Sequence, residues 1–145
     1  MVKCIVEINS STVGSTGRIM FMIAETARKH GFTVYTCSAV HGNEKRIESK
    51  NHIYIGSKLD KKIHLLLAKK TGYNGCFSHF TTAQFLKKID KLQPDLIHFH
   101  NLHNCYINLP MLFDYVKKKN IPVVWTLHDC WAYTGHCPYY DFVHC

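Results

Sequence analysis

The stretch Cys4-Ile5-Val6-Glu7-Ile8, running on into Asn9-Ser10-Ser11-Thr12-Val13-Gly14-Ser15-Thr16-Gly17-Arg18, decides the architecture. Its opening run is short and apolar with β-branched members, which predicts a buried strand over Cys4 to Ile8. Asn9 to Gly17 is rich in Ser, Thr and Gly and predicts a loop. Ile19, Met22, Ile23, Thr26 and Ala27 then recur at the spacing of one helix face. Gly31 follows Arg28, Lys29 and His30, where a glycine ends a helix. Thr33 to Ser38 predicts a second strand. Strand, loop, helix and strand in this order form the building unit of a parallel sheet.

The pattern continues outward. His52 to Ile55 is a weaker third strand. Lys58 to Lys70 predicts a basic helix with Ile63, Leu66 and Leu67 on one side, and Gly72 to Ser78 a loop. Thr81 and Gln84 form a capping-box pattern ahead of the stripe Thr82, Phe85, Leu86 and Ile89, which Gln93-Pro94 stops. Asp95 to Phe99 predicts a strand, and a polar loop reaches Asn104. Asn108 caps a helix carrying Leu109, Leu112, Phe113 and Val116, with Pro110 in its first turn and Lys117-Lys118-Lys119 at its end. Pro122 to Leu127 predicts another buried strand, and His128 to Cys145 is irregular. The fold class is α/β, an open and mostly parallel sheet. No internal repeat or low-complexity segment interrupts it. Ligands of such sheets bind at the carboxyl ends of the strands, where the polar clusters of this chain fall.

Composition agrees with one domain. The chain has 145 residues, 46% hydrophobic and 19% charged, enough to bury a core. Lys and Arg number 18 against 10 Asp and Glu, a net charge of +8. That excess suits a nucleotide, a phosphorylated substrate, an anionic membrane face or nucleic acid, without choosing among them. No apolar run reaches the roughly 18 residues that span a bilayer. The N-terminus enters a strand without a signal-peptide pattern, so a cytoplasmic location is expected. The seven cysteines are mostly scattered, and most read as reduced, buried thiols rather than a disulfide scaffold. Neither a basic-aromatic RNA motif nor a spaced zinc finger is present, so no nucleic-acid partner is expected.

Four constellations could carry chemistry. Gly14, Ser15, Thr16, Gly17 and Arg18 join a strand to a helix, where glycines admit a close ligand and helix N–H groups attract phosphate. A ligand-free glycine turn is equally open, since the spacing is neither the dinucleotide fingerprint nor a phosphate-binding P-loop. His98, His100, Asn101 and His103 crowd a strand end. Alternation sends His98 and His100 to one face and Phe99 to the other, which favours hydrogen bonding in a polar crevice, or acceptor contact, over metal binding. A further strand delivers His128 and Asp129. His128 is a candidate base or donor, or is simply satisfied by nearby backbone, and Asp129 orients it or caps the segment after it. Cys137 and Cys145 are at most half of a zinc site. The basic helix over Lys58 to Lys70 suits an anionic membrane surface or is a solvated face.

Taken together, Ile8-Asn9-Ser10, Gly14 to Ile19, Pro94 to His98, His100-Asn101-Leu102-His103, Tyr106-Ile107-Asn108-Leu109, Val123 to Trp131 and Thr134-Gly135-His136-Cys137 resemble the N-terminal region of bacterial glycosyltransferase family 4 proteins. The resemblance covers nearly the whole chain and is weakest between about Asn43 and Phe80. It implies half of a GT-B fold: a partial Rossmann-like sheet, expected order 3-2-1-4-5, with an unpaired edge at its fifth strand. It implies a retaining transfer of sugar from a nucleotide sugar, as co-substrate, to a surface-polysaccharide or lipid-linked acceptor. His128 would be the catalytic contact to the transferring sugar or phosphate. Gly14, Ser15, Thr16, Gly17 and Arg18 would lie near the donor diphosphate, and His98, His100, Asn101, His103 and Asp129 on the acceptor side. No metal or other cofactor is expected, because helix N-termini and basic residues neutralise the leaving group.

The family also has a second, donor-binding domain, for which this length leaves no room. One incomplete domain over residues 1–145, inactive alone and peripheral at the inner membrane face at most, is therefore expected. Two other readings stay beside this one: a non-catalytic Rossmann-like module that binds an anionic ligand or partner, and a metal-dependent hydrolase built on His98, His100 and His128.

Overall fold

The computed structural model describes residues 3–40, 47–135 and 137–139. The chain runs β1 (Cys4–Asn9), α1 (Gly14–Lys29), β2 (Thr33–Ala39), β3 (His52–Ile55), α2 (Lys58–Thr71), α3 (His79–Leu92), β4 (Leu96–Phe99), α4 (Leu109–Lys119), β5 (Val123–Trp125) and the short α5 (Trp131–Thr134). The five strands form one sheet in the order β3-β2-β1-β4-β5. Every pairing is parallel, so all carboxyl ends share one rim.

The register divides the sheet into two unlike faces. Ile53, Cys37, Ile8, Phe99 and Trp125 form one row across it. This face packs against Phe85 and Ile89 of α3 and Leu112 and Val116 of α4, and it holds the main apolar core. The adjacent row, one residue back on each strand, is His52, Thr36, Glu7, His98 and Val124. It is almost wholly polar. Phe21 of α1 meets the ring of His52 on this side.

Several local expectations change. Helix α1 begins at Gly14, inside the stretch expected to be a loop. Gly14 turns the chain at φ +75, and the first turn then settles on the preceding backbone at Gly17. Thr81 does not open α3; the helix starts at His79 after Ser78, and the Thr81 hydroxyl donates to Asp60 Oδ2 at 2.9 Å instead. Helix α2 forms where expected; it buries His64 and Ala68, and the side carrying Ile63 and Leu66 faces outward. The fifth strand has three residues rather than six, and Val123 and Val124 stay 40% and 47% exposed because β4 alone flanks it among the described residues. Asn108 does cap α4, accepting from the Met111 N–H at 3.0 Å.

Candidate functional site

A carboxylate in the middle of a buried strand must be paired, because burial of an isolated charge is costly. Glu7 is that group, 1% exposed at the centre of β1. The parallel register sets it beside His98 of β4. Its Oε2 accepts from His98 Nδ1 at 3.0 Å and from His100 Nε2 at 2.8 Å. Burial raises the proton affinity of the carboxyl, but the hydrogen bonds from His100 and His98 outweigh it and hold Glu7 below the ordinary carboxylate range.

With Glu7 ionised and both imidazoles in the neutral form, the direction of each further bond follows, because a neutral imidazole has one donor and one acceptor nitrogen. His98 gives its Nδ1 proton to Glu7, so its Nε2 accepts from the Thr126 hydroxyl at 2.8 Å. His100 gives its Nε2 proton to Glu7, so its Nδ1 accepts from His128 Nε2 at 2.9 Å. The His100 and His128 rings stack with centroids 5.2 Å apart. In that form His128 is the Nε2–H tautomer, with Nδ1 left as an acceptor. Burial, and then the neighbouring His100, push its pKa down, so the neutral ring dominates. His128 is the half-buried end of a relay anchored in the core.

The loops around it are tied together by Asn9. Its Oδ1 accepts from the Ser10 N–H at 2.9 Å and from the Asn101 N–H at 3.2 Å. Its Nδ2 donates to Ser11 O at 3.0 Å and to Thr16 Oγ1 at 3.3 Å. The turn into α1 and the loop after β4 therefore share one side chain. At Gly17 a Cβ would fall 2.5 Å from the Thr12 carbonyl carbon, so only glycine admits this approach. No side-chain cap bond and no acid occupy the first turn of α1, whose N–H groups keep their attraction for anions.

Of the sequence-predicted residues, Gly14 and Ser15 are exposed, Thr16 is half-buried and Arg18 is exposed beside buried Gly17. Asn101, His103, His128 and Asp129 gather at the carboxyl rim of β4 and β5. His98 and His100, expected on the acceptor side, lie beneath that rim, 7% and 1% exposed with all four ring nitrogens engaged. Asp129 does not orient His128. Its Oδ2 accepts from His103 Nε2 at 2.9 Å, and its Oδ1 accepts from the Trp131 N–H at 3.0 Å, which fastens the start of α5. Trp125 Nε1 donates to His100 O at 2.9 Å and closes the floor.

Sequence reasoning passed over Glu7 and gave Asn9 no role. The signal for Glu7 was an acid inside an apolar strand.

Among the described residues, Glu7, His98 and His100 form one group with three ligand-type atoms within 4.8 Å of one another. The ring nitrogens sit at hydrogen-bond distance from a single oxygen, and protons alone satisfy the set. Cys137 is half-buried, and the suggested pairing with Cys145 lies outside the described residues. Cys4, Cys37, Cys76, Cys105 and Cys130 are free thiols.

Comparison with known families matches residues 16–143 to Glycosyltransferase Family 4. The chain belongs to that family. It is also similar to a protein of Escherichia coli (strain K12) that carries the name colanic acid biosynthesis glycosyl transferase WcaC, 42% identical over 53 residues. That stretch is 33% of this chain and 13% of the length of the relative. The family match spans β2 to β5 and takes in Thr16, Gly17 and Arg18 of the α1 turn with the histidine rim. In this glycosyltransferase family 4 chain the space at the rim is shallow, about 10 Å³ beside His128 and Asn101, so the rim is an open wall rather than a closed pocket.

Proposed function

We propose that the chain is the acceptor-side part of a retaining glycosyltransferase. It would take sugar from a nucleotide sugar, as co-substrate, and deliver it to a surface-polysaccharide or lipid-linked acceptor. The observation that carries the reading is the meeting, through Asn9, of an uncapped α1 turn and the His128 wall in a member of this family. The start of α1, with Gly14, Ser15, Thr16, Gly17 and Arg18, offers N–H groups and a cation to the leaving diphosphate. His128, held neutral with Nδ1 as acceptor, takes a hydrogen bond from a hydroxyl of the transferring sugar. His103, Asn101 and Asp129 flank the acceptor, while His98 and His100 act from below by fixing the orientation of His128. No metal enters this scheme; the leaving charge meets helix dipole and guanidinium instead.

An open wall of this kind needs a second wall to exclude water, so the chain is expected to be inactive alone. The test supplies a donor-binding domain from another family member, in trans or by fusion, and measures sugar transfer from nucleotide sugars. Transfer should appear only with both parts present. It should fall at least about a hundredfold in His128→Ala, the scale on which a positioned polar group contributes. Efficient transfer by the chain alone would overturn the placement of the donor site elsewhere. Absence of transfer with the second domain present would favour a non-catalytic binding module.

A further inference from the structure

A buried acid is ordinarily paired with a cation. Among the described residues, the ion pairs of Glu7 run only to two imidazoles, His98 and His100. Its register neighbour in β2 is Thr36, an uncharged hydroxyl. With the three rings of the relay neutral, Glu7, His98, His100 and His128 together carry one negative charge, centred on a carboxylate that is 1% exposed. One proton would neutralise it, and the bonds say where that proton enters. Both nitrogens of His98 and both of His100 are engaged, by Glu7, Thr126 and His128. The remaining nitrogen of the relay is His128 Nδ1.

A proton added at Nδ1 leaves every inward bond in place. Passing the Nε2 proton of His128 across 2.9 Å to His100 Nδ1 then sets the positive charge next to Glu7. In either arrangement the outer nitrogen carries N–H. One proton thus turns the outer face of His128 from an acceptor for hydroxyls into a donor for anions. Asp129, next in the chain, has its carboxylate turned to His103 Nε2 at 2.9 Å and to the Trp131 N–H at 3.0 Å. Burial first, then His100, keep the ring of His128 neutral in the free chain; Asp129 works against them and His98 with them. The proton is therefore missing until a negative ligand comes close. We propose that Glu7 is a positioning residue for anion binding at the rim: acting through His100, its carboxylate lets His128 take up a proton at Nδ1 as an anion arrives. The proton comes from water, and no bond between heavy atoms forms or breaks. The proposed sugar transfer, on which the inference rests only for the identity of that anion, makes it the diphosphate of the donor.

The test uses the chain labelled with nitrogen-15 and sulfate as the probe, a tetrahedral anion whose own charge does not change near neutral pH. Long-range proton–nitrogen spectra of the imidazoles show which ring nitrogens hold hydrogen. Saturating sulfate should bring a proton to His128 Nδ1 at a pH where the free chain has none there. Sulfate affinity should fall as pH rises, by at most about tenfold per pH unit, the limit for one linked proton. Glu7→Gln keeps the shape and removes the charge; it should leave Nδ1 bare at the same sulfate concentration and flatten the pH dependence. His128→Gln, at the half-buried end of the relay, should abolish that dependence with an unchanged circular dichroism spectrum. A Glu7 that only holds the fold together would instead weaken sulfate equally at every pH in Glu7→Gln. That result, a bare Nδ1 in the sulfate-bound parent, or no sulfate binding at any pH would each overturn the proposal. No nucleotide sugar is present, so failure here leaves the sugar-transfer reading untouched.

Discussion

The histidine rim and helix α2 solve opposite problems. At the rim, Glu7, His98, His100, Thr126 and His128 are polar groups taken out of water, and each one's bond fixes the next. On α2 the chain leaves aliphatic side chains in water and buries a histidine with an unmet nitrogen. The buried part of the rim, Glu7 with His98 and His100, is satisfied within the chain, while its outer face at His128 stays open. The helix keeps its aliphatic side in solvent. A polar cluster inside and an apolar strip outside both depart from ordinary burial, but only the first is compensated within the chain.

That contrast can be broken from either side. The largest effect should come from Glu7→Leu, which strips two buried ring N–H groups of their acceptor. Loss of one partner from a buried pair costs about 3–5 kcal/mol, read as a lowered denaturant midpoint. Glu7→Gln should cost less and leave His98 and His100 competing for one amide oxygen. Next comes Gly17→Ala, where the new methyl meets the Thr12 backbone; about 1–3 kcal/mol of strain should appear in thermal unfolding. A near-neutral Gly17→Ala would mean that the α1 turn yields more readily than its packing implies.

Acid should sharpen the comparison further. Burial lowers His52 from 6.5 to about 4, where it bonds Thr36 Oγ1 at 2.8 Å and Ser38 Oγ at 3.1 Å. The unfolded histidine takes a proton first, so stability is full above about pH 6.5 and falls as pH drops towards 4. His128 is shifted in the same direction. Glu7 adds to the loss at lower pH, because its folded carboxyl holds its proton less tightly than the unfolded one. After allowance for solvent near His52, about 1 kcal/mol of the decline should vanish in His52→Phe, measured as melting temperature against pH. The smallest effect should be Leu66→Ser, which changes stability by less than about 0.5 kcal/mol because the side chain already faces water. A large loss there would show that Leu66 packs within the fold after all.

The sheet was legible because each strand is a short apolar run between turn residues, and a parallel sheet leaves few ways to order them. The order 3-2-1-4-5 came with the family resemblance and agrees with the observed topology. The histidines at the ends of β4 and β5 were legible as a cluster. Their partner was not, since Glu7 lies 91 residues before His98 and only strand pairing joins them. Helix α2 was legible as a basic helix with an apolar side, though not in the direction that side faces. Periodicity finds an apolar side but not which way it faces, and the alternative buried face here is His64 with Ala68. The start of α1 was missed because Ser, Thr and Gly read as loop formers. Two glycines, one turning the chain and one making room for it, begin the helix early.

Asn9 has a mechanical consequence. One amide group grips both the turn that opens α1 and the loop that leaves β4. Neither can shift by an ångström without dragging on the other. A molecule arriving at the glycines would therefore tug on the segment that leads to His103, and pressure there would be felt back at Thr16, as two doors hung on one hinge pin swing together.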